Sequence, residues 1–219
     1  MNDAVIFTPD NEPYLGRQLL QAFDQMIVVT LETSARVANW TRSRLERSDL
    51  QKAAVITAPQ AISLALAIRE LLRQGYLFPA KVMLRPLIER VVTILYVTEK
   101  PAAADEWMNG KRPVLAHMMN YLSDRWFAEK DPSRIGGVMT KPLNSLTHGD
   151  LQSAEWNTIS MNDDRLGFGV SKSLNDANLC DEICADVVPW LVMLSSMMIK
   201  IVPDAHPRAE DVAPGTTVQ

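Results

Sequence analysis

The amino-acid sequence predicts an all-α protein, a single-domain bundle of about five or six helices. Apolar residues recur at helical spacing over several long stretches of the chain. Eleven Met with only nine Gly and five Phe argue against a sheet protein, and a hydrophobic fraction of 47% with 22% charged residues is ordinary for a globular domain. Because no change in composition divides the 219 residues, we expect one domain.

We place this domain at residues 13–203, between an N-terminal lead (1–12) and a disordered tail (204–219) rich in proline and small polar residues. The first helix follows Pro13 and extends to about Ser48. The second begins at the capping signal Ser-Asp and ends at Gly75, with a bend or a break at the internal Pro59.

The third helix spans about residues 79–101, and a fourth helical stretch follows, interrupted around Gly110 and Pro113. A short helix comes next. Residues 154–172 are polar, with β-forming residues on either side of an Asn-Asp-Asp turn, which leaves a small hairpin and a long loop as alternatives. Residues 175–202 form the last long helix.

The last helix carries both cysteines and the longest apolar run. Cys180 and Cys184 are four residues apart, so they share one helical face, and we expect both thiols to lie in the core. The run at 187–199 is shorter than the roughly 20 residues that span a bilayer. The N-terminal residues lack the basic and apolar regions typical of a signal peptide, so we expect a cytoplasmic protein without a membrane partner.

Two charged residues stand out on the third helix, which is otherwise apolar nearly all round. Arg85 and Glu89 are four residues apart on the same stripe as Val92 and Tyr96, so we expect them in an apolar environment. A buried ion pair is costly to retain. Its role is either to hold neighbouring helices in register or to bind a ligand, and Pro86 loosens the backbone beside it.

The segment LNSLTHGD holds one of only three histidines in the chain. Pro142 comes directly before this segment, and we expect it in the first turn of a short helix. We expect Gly149 just past the end of that helix. His148 then lies at the carbonyl end of that helix, which favours its protonated form. Asn144 and Ser145, one turn earlier, are close enough to orient the ring. The alternative is a histidine that only caps helix carbonyls.

The sequence supports no cofactor or metal. It has no P-loop, no dinucleotide fingerprint and no zinc-binding spacing, and the acidic turn at 162–164 lacks the ligand pattern of a calcium loop. A Ser145 and His148 nucleophile pair is poorly supported because no oxyanion element accompanies it. We expect His117 in the core or at its boundary, and His206 lies in the tail.

Two segments, LRPLIERVVTILYV and, downstream of it, LNSLTHGD, carry a resemblance to a known family. The chain resembles a family of uncharacterised bacterial all-helical proteins, in which an R-x-x-x-E helix precedes an S-x-x-H element. The resemblance spans about residues 50–200. That family is distantly similar to the HEPN group, which includes metal-independent ribonucleases of toxin and phage-defence systems. By this resemblance His148 is the motif histidine, and Arg85 and Glu89 are the motif pair.

One part of the HEPN ribonuclease signature is missing. That signature has an arginine four to six residues before its histidine, whereas the nearest basic residue upstream here is Lys141, outside that window. Ribonuclease activity is therefore not carried over from the motif alone. Arg85 would have to replace the missing arginine in space.

Three functions follow as hypotheses. The first is a binding module in a bacterial defence or toxin–antitoxin context. The second is a metal-independent endoribonuclease, in which His148 is the general acid or base and Arg85 stabilises the transition state. The third is a structural or membrane-associated helical protein. A second copy of the chain is the expected partner, whereas a net charge of −4 does not favour RNA or a nucleotide. The predicted pocket consists of Arg85, Glu89, Asn144, Ser145 and His148.

Overall fold

The computed structural model describes residues 12–43, 46–126, 135–148, 158–161, 165–168 and 176–205. Within these ranges the chain forms seven α-helices and one two-stranded antiparallel hairpin, which confirms the all-α prediction. The helices are α1 (Gln18–Arg42), α2 (Asp49–Arg73), α3 (Leu77–Glu99), α4 (Pro101–Met108), α5 (Leu115–Trp126), α6 (Ile135–His148) and α7 (Ala177–Ile201). The fourth predicted stretch is two helices because the chain turns at Gly110, where φ is +88°.

Helix α1 begins five residues later than predicted, after a turn that contains Pro13, and its buried face includes threonines. Thr30 and Thr33 are buried, whereas Leu31 is exposed. Each threonine hydroxyl donates to the carbonyl four residues earlier, so its burial leaves no unsatisfied donor. The Thr30 hydroxyl also lies 3.1 Å from that of Ser195 and joins α1 to α7.

Helix α2 starts where its capping signal predicts and continues past Pro59. Ser48 and Gln51 form a capping box, in which each side chain bonds the backbone amide of the other. The predicted break at Pro59 is wrong, since the helix is continuous to Arg73. A stripe of buried alanines lets α2 approach its neighbours closely, and this packing offsets the hydrogen bond that proline removes.

Helix α3 is the centre of the bundle, as its composition predicts, and packs against α2, α4, α5, α6 and α7. Its C-terminal half is buried on every side from Val91 to Val97. Its N-terminal half is buried on one face only, through residues such as Leu84 and Leu87. Polar side chains in the N-terminal half of α3, ahead of Val91, are therefore able to reach solvent or neighbouring helices.

Helix α7 packs mainly on α1 and α3. Asp176 caps its N-terminus, and the Asp176 carboxylate accepts from two backbone amides of the first turn. Cys180 and Cys184 are free and fully buried, which confirms the prediction for both thiols. A hydrogen bond with Cys180, together with burial, raises the pKa of the Cys184 thiol. Helices α2 and α7 are long and apolar enough to cross a membrane, a test that core helices of soluble proteins also pass.

Of the two alternatives for residues 154–172, the structure has the hairpin. Strand β1 (Thr158–Met161) pairs with β2 (Arg165–Phe168) in an antiparallel register that sets Thr158 opposite Phe168. The tail after Ala205 and residues 1–11 of the lead lie outside the described residues. Pro203–Ala205 forms a short 3-10 turn that contacts α1 and α7.

A carboxylate at the end of α3 holds three helices together. Glu99 accepts from Arg125 of α5, Nε to Oε2 2.7 Å, and from Lys200 of α7, Nζ to Oε1 3.2 Å. The bonds from Arg125 and Lys200 hold the pKa of Glu99 below its ordinary value of 4.5. Because the folded-state pKa is lowered, this stabilisation is complete above the unfolded-state pKa and is lost as the pH falls through the folded-state pKa.

We expect Glu99→Gln to lower the free energy of unfolding at neutral pH and to flatten its decline in acid. Some decline remains, because the pKa values of Asp181 and Glu70 are also lowered, by Arg17 and Arg73. Urea denaturation at a series of pH values measures both effects. Glu32→Gln, at an exposed position of α1, is the control. An acid decline of equal steepness in the two variants would contradict the role of Glu99.

Candidate functional site

Helices α3 and α6 bring Arg85 and His148 together, although 63 positions separate them in the chain. Arg85 Nη1 lies 3.1 Å from His148 Nε2, near the solvent boundary. Arg85 is half-buried in the N-terminal half of α3, and His148 is the last residue of α6 and is exposed. Two of the five residues predicted for the pocket are therefore in direct contact.

The donor and acceptor of this contact follow from the chemistry of the two groups. A guanidinium has only donors, so Arg85 Nη1 donates and His148 Nε2 accepts. The contact sets a guanidinium and an imidazole side by side. A ligand anion beside them can accept from the guanidinium and from an imidazole N–H, which is an arrangement typical of phosphate and carboxylate sites.

Glu89 does not pair with Arg85. Its side chain is 35% exposed, and its closest cation is Arg90, with Oε2 and Nη1 3.9 Å apart. The expectation of a buried Arg85–Glu89 ion pair is therefore wrong. Both residues are half-buried, so neither charge is enclosed in the core as the stripe predicted.

Helix α6 differs from the short helix predicted around LNSLTHGD. It begins at Ile135, so Pro142 is an interior residue rather than a first-turn residue. The helix does end at His148, as predicted, and Gly149 lies outside the described residues. The glycine pair 136–137 made an early start hard to foresee, because glycine is a poor helix former.

The two other predicted pocket residues do not orient the histidine. Ser145 is 5% exposed, and its hydroxyl has no hydrogen-bond partner among the described residues. Asn144 is half-buried. Since the Ser145 hydroxyl does not bond to His148, the pair lacks the contact that a nucleophile and its base require.

A cavity that the sequence did not predict lies beside Glu89, between α2, α3 and the α4–α5 connection. We call it cavity A. Its volume is about 460 Å³, and it combines polar and aromatic side chains. It is lined by Ile56, Thr57, Gln60, Glu89, Arg90, Thr93, Trp107, Arg112, Pro113 and Met118.

A second cavity, cavity B, has a volume of about 490 Å³ and shares Arg112 and Pro113 with cavity A. His117 lines it, is exposed, and meets the ring of Tyr96 edge-on at 6.2 Å between centroids. The expected core or boundary position of His117 is therefore wrong. Among the described residues, no three His, Cys, Asp or Glu side chains are grouped as metal ligands would be.

The comparison with known families covers α2 to α5. Residues 51–131 match the model of DUF5677, a family of unknown function. The DUF5677 match is less than half of the chain, and it includes Arg85, Glu89 and the whole lining of cavity A, whereas His148 lies beyond it. No curated protein and no solved structure matches the chain. The similarity is thus to a family whose activity is itself unknown.

Proposed function

We propose that this chain is a binding module that recognises a phosphate group of RNA or of a nucleotide through Arg85 and His148. The observation that carries the proposal is the 3.1 Å contact between the two side chains across α3 and α6. A guanidinium presents paired donors that match phosphate oxygens, and an imidazole beside it adds a further donor. Each of the two groups is accessible to a ligand from solvent.

Local charge matters here because the chain as a whole carries −4. Long-range attraction does not bring a polyanion to this surface, so affinity must come from direct hydrogen bonds at the site. An anion that contacts both Arg85 and His148 would gain a hydrogen bond from each side chain when it binds.

The test uses a fluorescein-labelled single-stranded RNA and inorganic pyrophosphate as probes. We expect Arg85→Gln and His148→Gln each to weaken binding about tenfold or more, since each removes a charge-assisted hydrogen bond. Fluorescence anisotropy measures the RNA and calorimetry the pyrophosphate. If pyrophosphate binds and the RNA does not, the ligand is a small phosphate compound rather than RNA.

The matched control is Arg36→Gln, which makes the same change at an exposed position of α1. It removes one positive charge from the chain but none from the contact between α3 and α6. We expect its affinities to equal those of the parent protein. If Arg36→Gln weakens binding as much as Arg85→Gln does, the effect is one of net charge, and the proposed site is wrong.

A second candidate function, the metal-independent endoribonuclease, uses the same contact. The arginine that the HEPN signature places before its histidine is absent from α6, and Arg85 lies against His148 instead. In such a reaction Arg85 turns from His148 Nε2 to the phosphate, and Nε2 takes the proton of the ribose 2′-hydroxyl as its oxygen attacks the adjacent phosphorus. The bond from phosphorus to the 5′-oxygen breaks, which leaves a 2′,3′-cyclic phosphate and a 5′-hydroxyl that takes its proton from water, and Arg85 stabilises the negative charge on the phosphoryl oxygens. Cleavage that disappears in His148→Ala supports this candidate. RNA bound but left intact by the parent protein favours the binding module alone.

A further inference from the structure

Cavity A is separate from the Arg85 and His148 contact, and neither of those residues lines it. Its walls come from α2, α3, α4, the connection between α4 and α5, and Met118 of α5. A volume of about 460 Å³ falls in the range of about 300–1,000 Å³ that is usual for small-molecule sites. The cavity therefore has room for a ligand of its own.

A buried hydroxyl in the lining has no partner. Thr57 is 1% exposed, and its Oγ1 makes no hydrogen bond within the described part of the chain. Other helical threonines of this protein, such as Thr93, donate to the carbonyl four residues earlier. The Thr57 hydroxyl does not, so it is free to bond a molecule in the cavity. Buried polar groups are rarely left unsatisfied, so this hydroxyl favours a ligand or an ordered water in the cavity.

The charged side chains of the cavity are only partly engaged. Arg90 donates through Nε to Gln60 Oε1 at 2.8 Å, which fixes the orientation of its guanidinium. The Glu89 carboxylate is 3.9 Å from that guanidinium, too far for a hydrogen bond. Arg112 is exposed at the rim and makes no ion pair with any described residue. Within the described part of the chain, Glu89 thus has an acceptor without a hydrogen bond and Arg112 is a cation without an ion pair.

The lining also contains the indole of Trp107, which is half-buried beside these charges. We propose that cavity A binds a small anion that carries a planar ring and a hydrogen-bond-donating group. The anion pairs with Arg112, the ring packs on Trp107, and the donor group is recognised by Glu89 with Thr57 beside it. An aromatic amino acid derivative with a carboxylate and a nucleotide with a phosphate both have this chemistry.

Two probes distinguish these sources, 4-aminobenzoate for a carboxylate and adenosine monophosphate for a phosphate. Benzoate lacks the donor group and aniline lacks the anion, so each serves as a reference compound. Calorimetry on the full chain measures affinity. We expect at least one of the two probes to bind more tightly than its reference compounds. Arg112→Gln should weaken the binding of that probe about tenfold and leave the affinity for aniline unchanged.

Thr57→Val, which keeps the shape of the side chain and removes its hydroxyl, is the second variant and should also weaken the bound probe. Arg36→Gln is the matched control for the loss of charge. His148→Gln separates the two sites, since it weakens RNA binding under the proposed function and leaves 4-aminobenzoate binding unchanged. Circular dichroism verifies that each variant is folded.

Binding of neither probe by the parent protein would overturn the proposal. So would equal affinity in the parent protein, Arg112→Gln and Thr57→Val, because the ligand would then lie elsewhere. A probe that is weakened by His148→Gln but not by Arg112→Gln belongs to the phosphate site and likewise counts against cavity A. Arg112 is exposed, so its variant tests the cavity even if Thr57→Val disturbs packing.

Discussion

Leu87→Ala is expected to lower the free energy of unfolding by about 3–5 kcal/mol, among the largest effects of any single change in this chain. Leu87 is fully buried at the middle of α3. Because α3 packs against five other helices, the surrounding side chains cannot all shift to fill the space left by the isobutyl group. The loss includes both the transfer of the side chain from water and the cavity that remains.

The control is Leu66→Ala on α2, where the side chain is 43% exposed. The same atoms are removed there without a closed cavity, so we expect a change within about 0.5–1 kcal/mol. Urea denaturation followed by circular dichroism measures both variants. Similar losses at the two positions would mean that α3 is not the centre of the core.

Arg69→Met is expected to lower the free energy of unfolding by about 2–4 kcal/mol, because it leaves a buried carboxylate without its cation. Arg69 of α2 reaches Glu12 ahead of α1, Nη1 to Oε1 2.6 Å, and Asp24 within α1. Burial alone lowers the pKa of Arg69, but the bonds with Asp24 and Glu12 outweigh it and raise that pKa. Glu12 is only 6% exposed, so water cannot replace the arginine.

The matched control is Arg73→Met, one turn further along α2, where the ion pair with Glu70 is at the surface. We expect a clearly smaller loss of stability there, since exposed pairs contribute little. A second test adds Glu12→Gln and Asp24→Asn to Arg69→Met. Removing the unpaired charges should restore part of the stability, and no recovery would show that Arg69 acts through packing alone.

Much of the fold can be predicted from local sequence patterns, namely capping residues and the spacing of apolar residues. The Ser48 capping box, the Asp176 cap and the period of the apolar residues place the long helices. The two cysteines of α7 are buried because a spacing of four puts both on its apolar face. Each of these features depends on residues within one or two turns of each other. Local chemistry is sufficient to predict them.

Other features depend on which helix covers which, and local patterns do not contain that information. Arg85 was expected to bond Glu89 four residues away, and it contacts His148 instead. Thr30 was not counted in the core, although its hydroxyl is satisfied by its own helix. Cavity A is lined by side chains from four helices and a connection, so no single sequence motif predicts it.

The polar side chains of α3 determine its angular setting within the bundle. Lys81 reaches Asp186 of α7, Arg85 reaches α6, Arg90 reaches Gln60 of α2, and Glu99 reaches both α5 and α7. A rotation of the helix by one residue position, about 100°, would break all of these bonds together and would turn the buried face of its N-terminal half away from the core. The polar contacts and the apolar face of α3 therefore select the same orientation.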